Sequence, residues 1–179
     1  MRLEKDKLFN IEEYEKLQYK YNIEFINGDI VLHPKTSIKH NEIVNNIQLK
    51  LINYFNSNPS KCKVYTEQIE VKFHNSQDTI NVFPDVFVMC YDALKNGESF
   101  ISPPKLIFEI VSPNYSGHDY ITKLQTYQKY GVLEYVIVEQ TGEMIQYNLE
   151  TGVFKPSTNE SYISNVFDGL SIDITEIAK

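Results

Sequence analysis

Three ionisable residues stand in strongly apolar surroundings within one short stretch of the chain. Asp85 lies in the run Val82-Phe83-Pro84-Asp85-Val86-Phe87-Val88-Met89, and Glu109 lies in Leu106-Ile107-Phe108-Glu109-Ile110-Val111. Lys123 falls on the inner face of the helix expected after them. A buried charge is costly unless it is paired or bound to a metal. Two carboxylates and an amine brought together could hold a hard divalent ion through oxygen, with a fixed cation beside it. That is the equipment for metal-assisted attack on a phosphodiester.

Each residue also has a plainer reading. Asp85 shares a strand face with Phe83, Phe87 and Met89, and Pro84 marks a strand start, an edge or a bulge; the plainer role is to cap a nearby backbone N–H. Glu109 shares its face with Ile107 and Val111, and its other neighbours are apolar too. Turning the strand over therefore does not expose it, and the alternative is a buried pair with Lys123 or Lys105. At a hundred degrees per residue, Tyr120, Ile121, Leu124, Tyr127 and Tyr130 form one helical stripe, with Lys123 inside it and Lys129 pointing to solvent. For Lys123 the alternatives are snorkelling or an i,i+4 pair with Asp119. Glu67 sits on an apolar strand face with Tyr65 and Ile69, either as a further acid near a metal or as a strand-end residue with no special role. His40 falls on the apolar stripe of its helix, either as a satisfied core histidine or lining a cleft from the helix N-terminus. His118 is expected to be exposed. Gly-rich phosphate loops, nucleophile elbows and zinc signatures are not found.

The elements that must position these residues follow from periodicity and turn chemistry. A short helix over about 10–18 is capped by Asn10. Asn27-Gly28 closes a hairpin between Ile23–Ile26 and Ile30–Leu32, and Pro34 stops its second strand. A helix capped by Thr36 or Ser37 runs to about Phe55 with the stripe Ile43, Val44, Ile47, Leu51, Tyr54 and Phe55. Alternation predicts one strand over 63–73 and another over 80–90; 105–111, apolar on both faces, reads as a central strand. A helix over about 118–130 ends at Gly131, and 132–138 is a buried strand leading into a C-terminal β-meander with turns at Thr141-Gly142 and Thr151-Gly152. The expected class is α/β (α+β), a mixed β-sheet flanked by helices, in one domain spanning 1–179.

Composition limits the readings. The chain has 179 residues, and its net charge of −7 argues against a generic nucleic-acid binder, so a basic groove or a bound cation would have to offset it. No apolar run is long enough for a membrane span and no signal-peptide pattern follows the charged start, so the expected location is cytoplasmic. Cys62 and Cys90 match no metal or redox spacing and read as free thiols.

Taken together, Phe83-Pro84-Asp85-Val86, Pro104-Lys105-Leu106-Ile107-Phe108-Glu109-Ile110-Val111-Ser112-Pro113, then Asp119, Lys123, Tyr127 and Gly131-Val132-Leu133-Glu134-Tyr135 resemble the Uma-type restriction endonuclease family of the PD-(D/E)XK nuclease superfamily. The hairpin Glu24-Phe25-Ile26-Asn27-Gly28, the helix start at His40 and the ending Phe167-Asp168-Gly169-Leu170 fit as well, so the resemblance covers nearly the whole chain. It implies a restriction-endonuclease-like fold and Mg²⁺- or Mn²⁺-dependent hydrolysis of DNA. Asp85, Glu109 and the backbone carbonyl of Val111 would be metal ligands, with Glu24, His40 and Glu67 near the cleft. The superfamily pattern places its lysine two residues after the second acid. Val111 stands there, and Lys123 fits the position of a lysine moved to the next helix. The broken motif keeps two alternatives open: an inactive nuclease-fold partner protein, or a hydrolase of a small phosphodiester or nucleotide. Analogy with the superfamily suggests a homodimer, with the meander at 133–155 as its surface.

Overall fold

The computed structural model describes residues 7–33, 36–58, 60–111, 117–156 and 161–177. The first helix, α1 (Ile11–Gln18), begins at Asn10, whose side chain accepts from Glu13 N while Glu13 reaches back to Asn10 N. Strands β1 (Ile23–Ile26) and β2 (Asp29–Leu32) form the expected hairpin. Its turn residues Asn27 and Gly28 both take positive φ, +50° and +97°, as a type I′ turn demands. The stop assigned to Pro34 lies outside the described residues. Helix α2 (Ile38–Ser57) starts where Ser37 accepts from His40 N.

The alternating segments divide where the sequence suggested continuity. Residues 63–73 are two strands, β3 (Cys62–Thr66) and β4 (Val71–His74), separated by a turn in which Ile69 N donates to Thr66 O. Residues 80–90 are likewise β5 (Thr79–Val82) and β6 (Val86–Cys90), broken at Phe83-Pro84-Asp85. Tyr65, Ile69, Val71 and Phe73 do join one apolar cluster, so the alternation reports burial correctly while the hydrogen-bond partners change beneath it. A short hairpin, β7 (Lys95–Asn96) and β8 (Ser99–Phe100), precedes the central β9 (Leu106–Ile110). Helix α3 (Gly117–Tyr130) ends at Gly131, whose φ of +82° suits a C-cap. Strands β10 (Glu134–Val138), β11 (Met144–Asn148) and β12 (Val153–Pro156) make the meander, and β13 (Ser161–Ile163) pairs with β14 (Ser171–Asp173).

The strands form two six-stranded sheets and a ribbon rather than one sheet. One sheet has the order β2-β1-β5-β4-β8-β7, the other β12-β11-β10-β9-β6-β3. In the second, β9 and β10 are parallel and the remaining pairs antiparallel. Helix α2 and the 161–177 segment bury one face of this sheet through Ile47, Leu51, Val88, Phe108, Tyr162 and Ile172. The other face, with Phe87, Ile107 and Tyr135, packs on α3 and the first sheet through Tyr127, Val71 and Phe73. Ile121, expected inside, is instead exposed, while Lys129 is half exposed and pairs with Asp78. Among the described residues no helix is long and apolar enough to cross a membrane.

The expectation of free thiols fails. Cys62 and Cys90 face each other across β3 and β6 and form a disulfide. Their separation of 28 residues hid an adjacency that only the strand register reveals. Closing a loop of that size should stabilise the fold by about 3–4 kcal/mol, mainly by restricting the unfolded chain. Dithiothreitol should therefore lower the urea midpoint of the wild type and leave a Cys62→Ser/Cys90→Ser variant unchanged.

Candidate active site

The strand register gathers the acids. Thr66 pairs with Val86, and Val86 with Phe108. One step further along, at the same end of three neighbouring strands, stand Glu67, Asp85 and Glu109. The break at Pro84 ends β5 before this row, and Asp85 Oδ2 accepts from Ile110 N at 2.6 Å. The capping role considered for Asp85 is therefore present, and it fixes the carboxylate at the junction of β6 and β9.

Lys123 comes from α3 and is largely buried, its side chain 11% exposed. Its Nζ lies 2.9 Å from Glu109 Oε1 and 3.1 Å from Glu24 Oε1. Glu109 also accepts from Tyr127 OH at 2.7 Å. Glu24, only 1% exposed, reaches this point from β1; it accepts from Phe83 N at 3.0 Å and lies 3.3 Å from His33 Nε2. The pairing weighed for Glu109 is thus with Lys123. Glu24, reached in the sequence only through the resemblance, is a direct neighbour of the lysine. Asp119 and His118 carry side chains outside the described residues. Val111, half-buried, follows β9 directly, and its N–H donates to Val138 O at 2.8 Å.

On the opposite side of Asp85 the N-terminal turn of α2 supplies His40, with Nε2 3.3 Å from Asp85 Oδ1. One ligand atom from each of His40, Glu67 and Asp85 falls within 4.8 Å of the others. His40 and Glu67, weighed in the sequence against core and strand-end roles, therefore adjoin the site. Sequence reasoning missed His33 and the hydroxyl of Tyr127. The tyrosine was visible in an apolar stripe and in the resemblance, with no role for its hydroxyl, and His33 gave no signal beyond its place just after a strand.

The electrostatics follow from one buried ammonium among several acids. Burial opposes protonation of Lys123, but Glu109, Glu24 and Asp85 outweigh it and raise its pKa well above the usual lysine value. Burial works to raise Glu24, yet Lys123 and His33 prevail and hold it well below the usual carboxylate range. One ammonium cannot neutralise two buried acids, and the deficit falls on Glu109. Burial, reinforced by Asp85 and Glu24, pushes it up to about 7 despite Lys123 and Tyr127. Burial likewise raises Glu67, with Asp85 adding to the effect. Desolvation lowers His40, but its contact with Asp85 reverses the direction. The row is thus short of positive charge. Its donors are hard carboxylate oxygens and one imidazole, a set suited to a divalent cation.

No curated protein matches the sequence significantly. The fold is similar to the crystal structure of a putative nuclease belonging to DUF820 from Anabaena variabilis ATCC 29413. The TM-score is 0.70 over 87% of this chain and 89% of that one, at 17% identity. The family model described as Uma2, putative restriction endonuclease, matches residues 11–175, nearly the whole sequence. The chain therefore belongs to the Uma2 family of putative restriction endonucleases.

Proposed function

We propose that this protein is a divalent-metal-dependent endonuclease that hydrolyses DNA phosphodiester bonds, with Asp85, Glu109 and Lys123 as its catalytic residues. The observation that carries this reading is the buried Lys123–Glu109 contact at 2.9 Å, beside an Asp85 locked to the same strand. A charged lysine held largely out of solvent by two acids is a poor structural device, because buried pairs gain little over apolar packing. As a preorganised cation at a reacting phosphate it has a clear use.

Asp85, Glu109 and the Val111 carbonyl would hold Mg²⁺ or Mn²⁺. Such an ion, when bound, polarises the phosphoryl oxygen and acidifies a bound water. The chain's own residues orient and neutralise. Ile110 N–H fixes the Asp85 carboxylate, Tyr127 OH fixes Glu109, and Glu24 holds the Lys123 ammonium in place. Held between Glu109 and Glu24, the Lys123 ammonium is positioned to meet the charge that develops at the phosphate. The protein's assembly is proposed as a homodimer, since one such site cuts one strand.

The direct test is nicking of supercoiled plasmid by purified protein with Mg²⁺ or Mn²⁺. Failure with both ions on duplex and single-stranded DNA would count against the proposal. Cutting of only a small dinucleotide diester would move it to the small-substrate alternative.

A pH dependence follows from Glu109. Its pKa, raised to about 7, means the ion must displace a proton at or below neutrality. Mn²⁺ affinity should therefore rise about tenfold from about pH 6 to about pH 8 and then level off. Calorimetry in two buffers of different ionisation enthalpy should count about half a proton released at about pH 7, rising towards one near about pH 6. An affinity independent of pH over this range would contradict the assignment of Glu109 as a ligand.

A further inference from the structure

We propose that His40, Glu67 and Asp85 form a second cation position, selective for a first-row transition ion, which shares Asp85 with the Mg²⁺ position of the proposed function. Only the first ion rests on that earlier reading; the second rests on its own geometry.

Three observations carry it. First, the ligand atoms of His40, Glu67 and Asp85 already lie within 4.8 Å of one another. Bonds of about 2.1 Å need separations of about 3–4.3 Å, so a small closing of side chains completes the set. Second, His40 is 7% exposed, yet its Nδ1 is buried without a hydrogen-bond partner among the described residues, and Nε2 makes only the 3.3 Å contact with Asp85. A buried imidazole left this poorly satisfied is costly as a purely structural feature. Third, the row Glu67, Asp85, Glu109 places three acids at neighbouring strand ends. At a strand spacing of about 4.8 Å the row spans roughly 10 Å. Lys123 serves one end of the row, at Glu109, while the other end, at Glu67, feels only the imidazoles of His40 and, more weakly, His33 among the described residues.

Asp85 stands in the middle of the row. A carboxylate offers about four lone-pair directions, of which Ile110 N–H takes one. The remainder allow it to bridge two ions about 3.5–4 Å apart, a spacing used in two-metal hydrolysis of phosphodiesters. The two positions differ in chemistry. The Glu109 side offers oxygen only and suits Mg²⁺, whereas the imidazole of His40 favours Mn²⁺, Co²⁺ or Zn²⁺.

The test uses Mn²⁺ alone. Calorimetry should find two ions per chain. Glu67→Gln and His40→Ala should each weaken one of them by about tenfold or more and leave the other, while Glu109→Gln should remove the opposite one. Pulsed electron paramagnetic resonance of the wild type should show coupling to an imidazole nitrogen. That coupling should change on ¹⁵N-histidine labelling, survive in His33→Ala and vanish in His40→Ala. The wild-type spectrum decides even where a variant fails to fold. One Mn²⁺, lost in Glu109→Gln, indifferent to His40 and Glu67 and free of nitrogen coupling, overturns the second position and leaves the proposed function standing. Absence of any bound Mn²⁺ overturns both.

Discussion

Lys123→Met should abolish plasmid nicking and, in the same stroke, deprive two buried carboxylates of the ammonium they share. Methionine keeps most of the aliphatic stem, so the packing change is small and the charge change dominates. Loss of a preorganised cation at a phosphoryl centre is expected to cost on the order of a thousandfold in rate. Breaking a buried pair by removing one partner costs about 3–5 kcal/mol, because the other charge stays buried. The effect on stability should depend on pH in a specific direction. In the variant Glu109, already raised in the wild type, loses its nearest cation and rises further, while Glu24 keeps only His33 and loses most of its depression. Stability is then fullest at low pH and falls as pH rises through the folded value of Glu109. In the wild type Glu24 behaves oppositely: its folded pKa is depressed, so its contribution is present above the unfolded value and is lost on acidification. Urea denaturation at about pH 5.5 and about pH 8 should show Lys123→Met recovering much of its deficit at the lower pH. Adding Glu24→Gln should recover stability at the higher pH without restoring cutting, which separates the structural and chemical consequences. Asp85→Ala should be equally inactive. Full activity in Lys123→Met would remove the lysine from the mechanism altogether.

The acids and the lysine were legible in the sequence because each violates a local rule. Asp85 interrupts an apolar run, Glu109 cannot be exposed by either strand orientation, and Lys123 sits within an apolar helical stripe. Two elements were legible for the same kind of reason: Asn27-Gly28 has one natural backbone geometry, and the Asn10–Glu13 capping box starts only a helix. Less legible was anything set by pairing between distant strands. Alternation over 63–73 reports which side chains are buried but is silent on where the chain changes sheet. The same gap hid the Cys62–Cys90 bond and the alignment of Glu67 beside Asp85, both of which depend on the β3–β6 register. Glu24 was the hardest to read. It lies on an alternating strand where a polar residue is ordinary, and its burial is made tolerable by partners from distant or neighbouring elements, Lys123, His33 and Phe83 N.

Glu134 marks the opposite end of the central sheet and carries the second large expectation. It is fully buried at the start of β10, and no cation accompanies it among its hydrogen-bond partners. Its oxygens accept from Tyr162 OH at 2.9 Å, Ser164 Oγ at 2.6 Å, Asn165 N at 3.1 Å and Asn165 Nδ2 at 3.2 Å, and also from Gln146 Nε2. The carboxylate is thus stabilised by converging dipoles, and the donors come largely from the 161–165 stretch that leads into β14. It fastens that ribbon to the meander. Glu134→Ala removes one acceptor group and unpairs two buried donors, Tyr162 OH and Gln146 Nε2, together with part-buried ones on Ser164 and Asn165. Each orphan costs about 1–3 kcal/mol, partly relieved as the ribbon loosens and admits water, so a net loss of about 3–5 kcal/mol is expected. For a chain of this size that lowers the melting temperature by about 10 °C. Glu134→Gln keeps the shape but turns an amide nitrogen toward donors, and should still lose on the order of 2 kcal/mol. Hydrogen exchange should show protection falling first in 161–173. Because Glu134 pairs with Leu106, at the end of β9 away from Glu109, metal binding at low temperature should survive. An unchanged melting temperature in Glu134→Ala would mean that the ribbon is held by apolar packing of Tyr162, Leu170 and Ile172 alone.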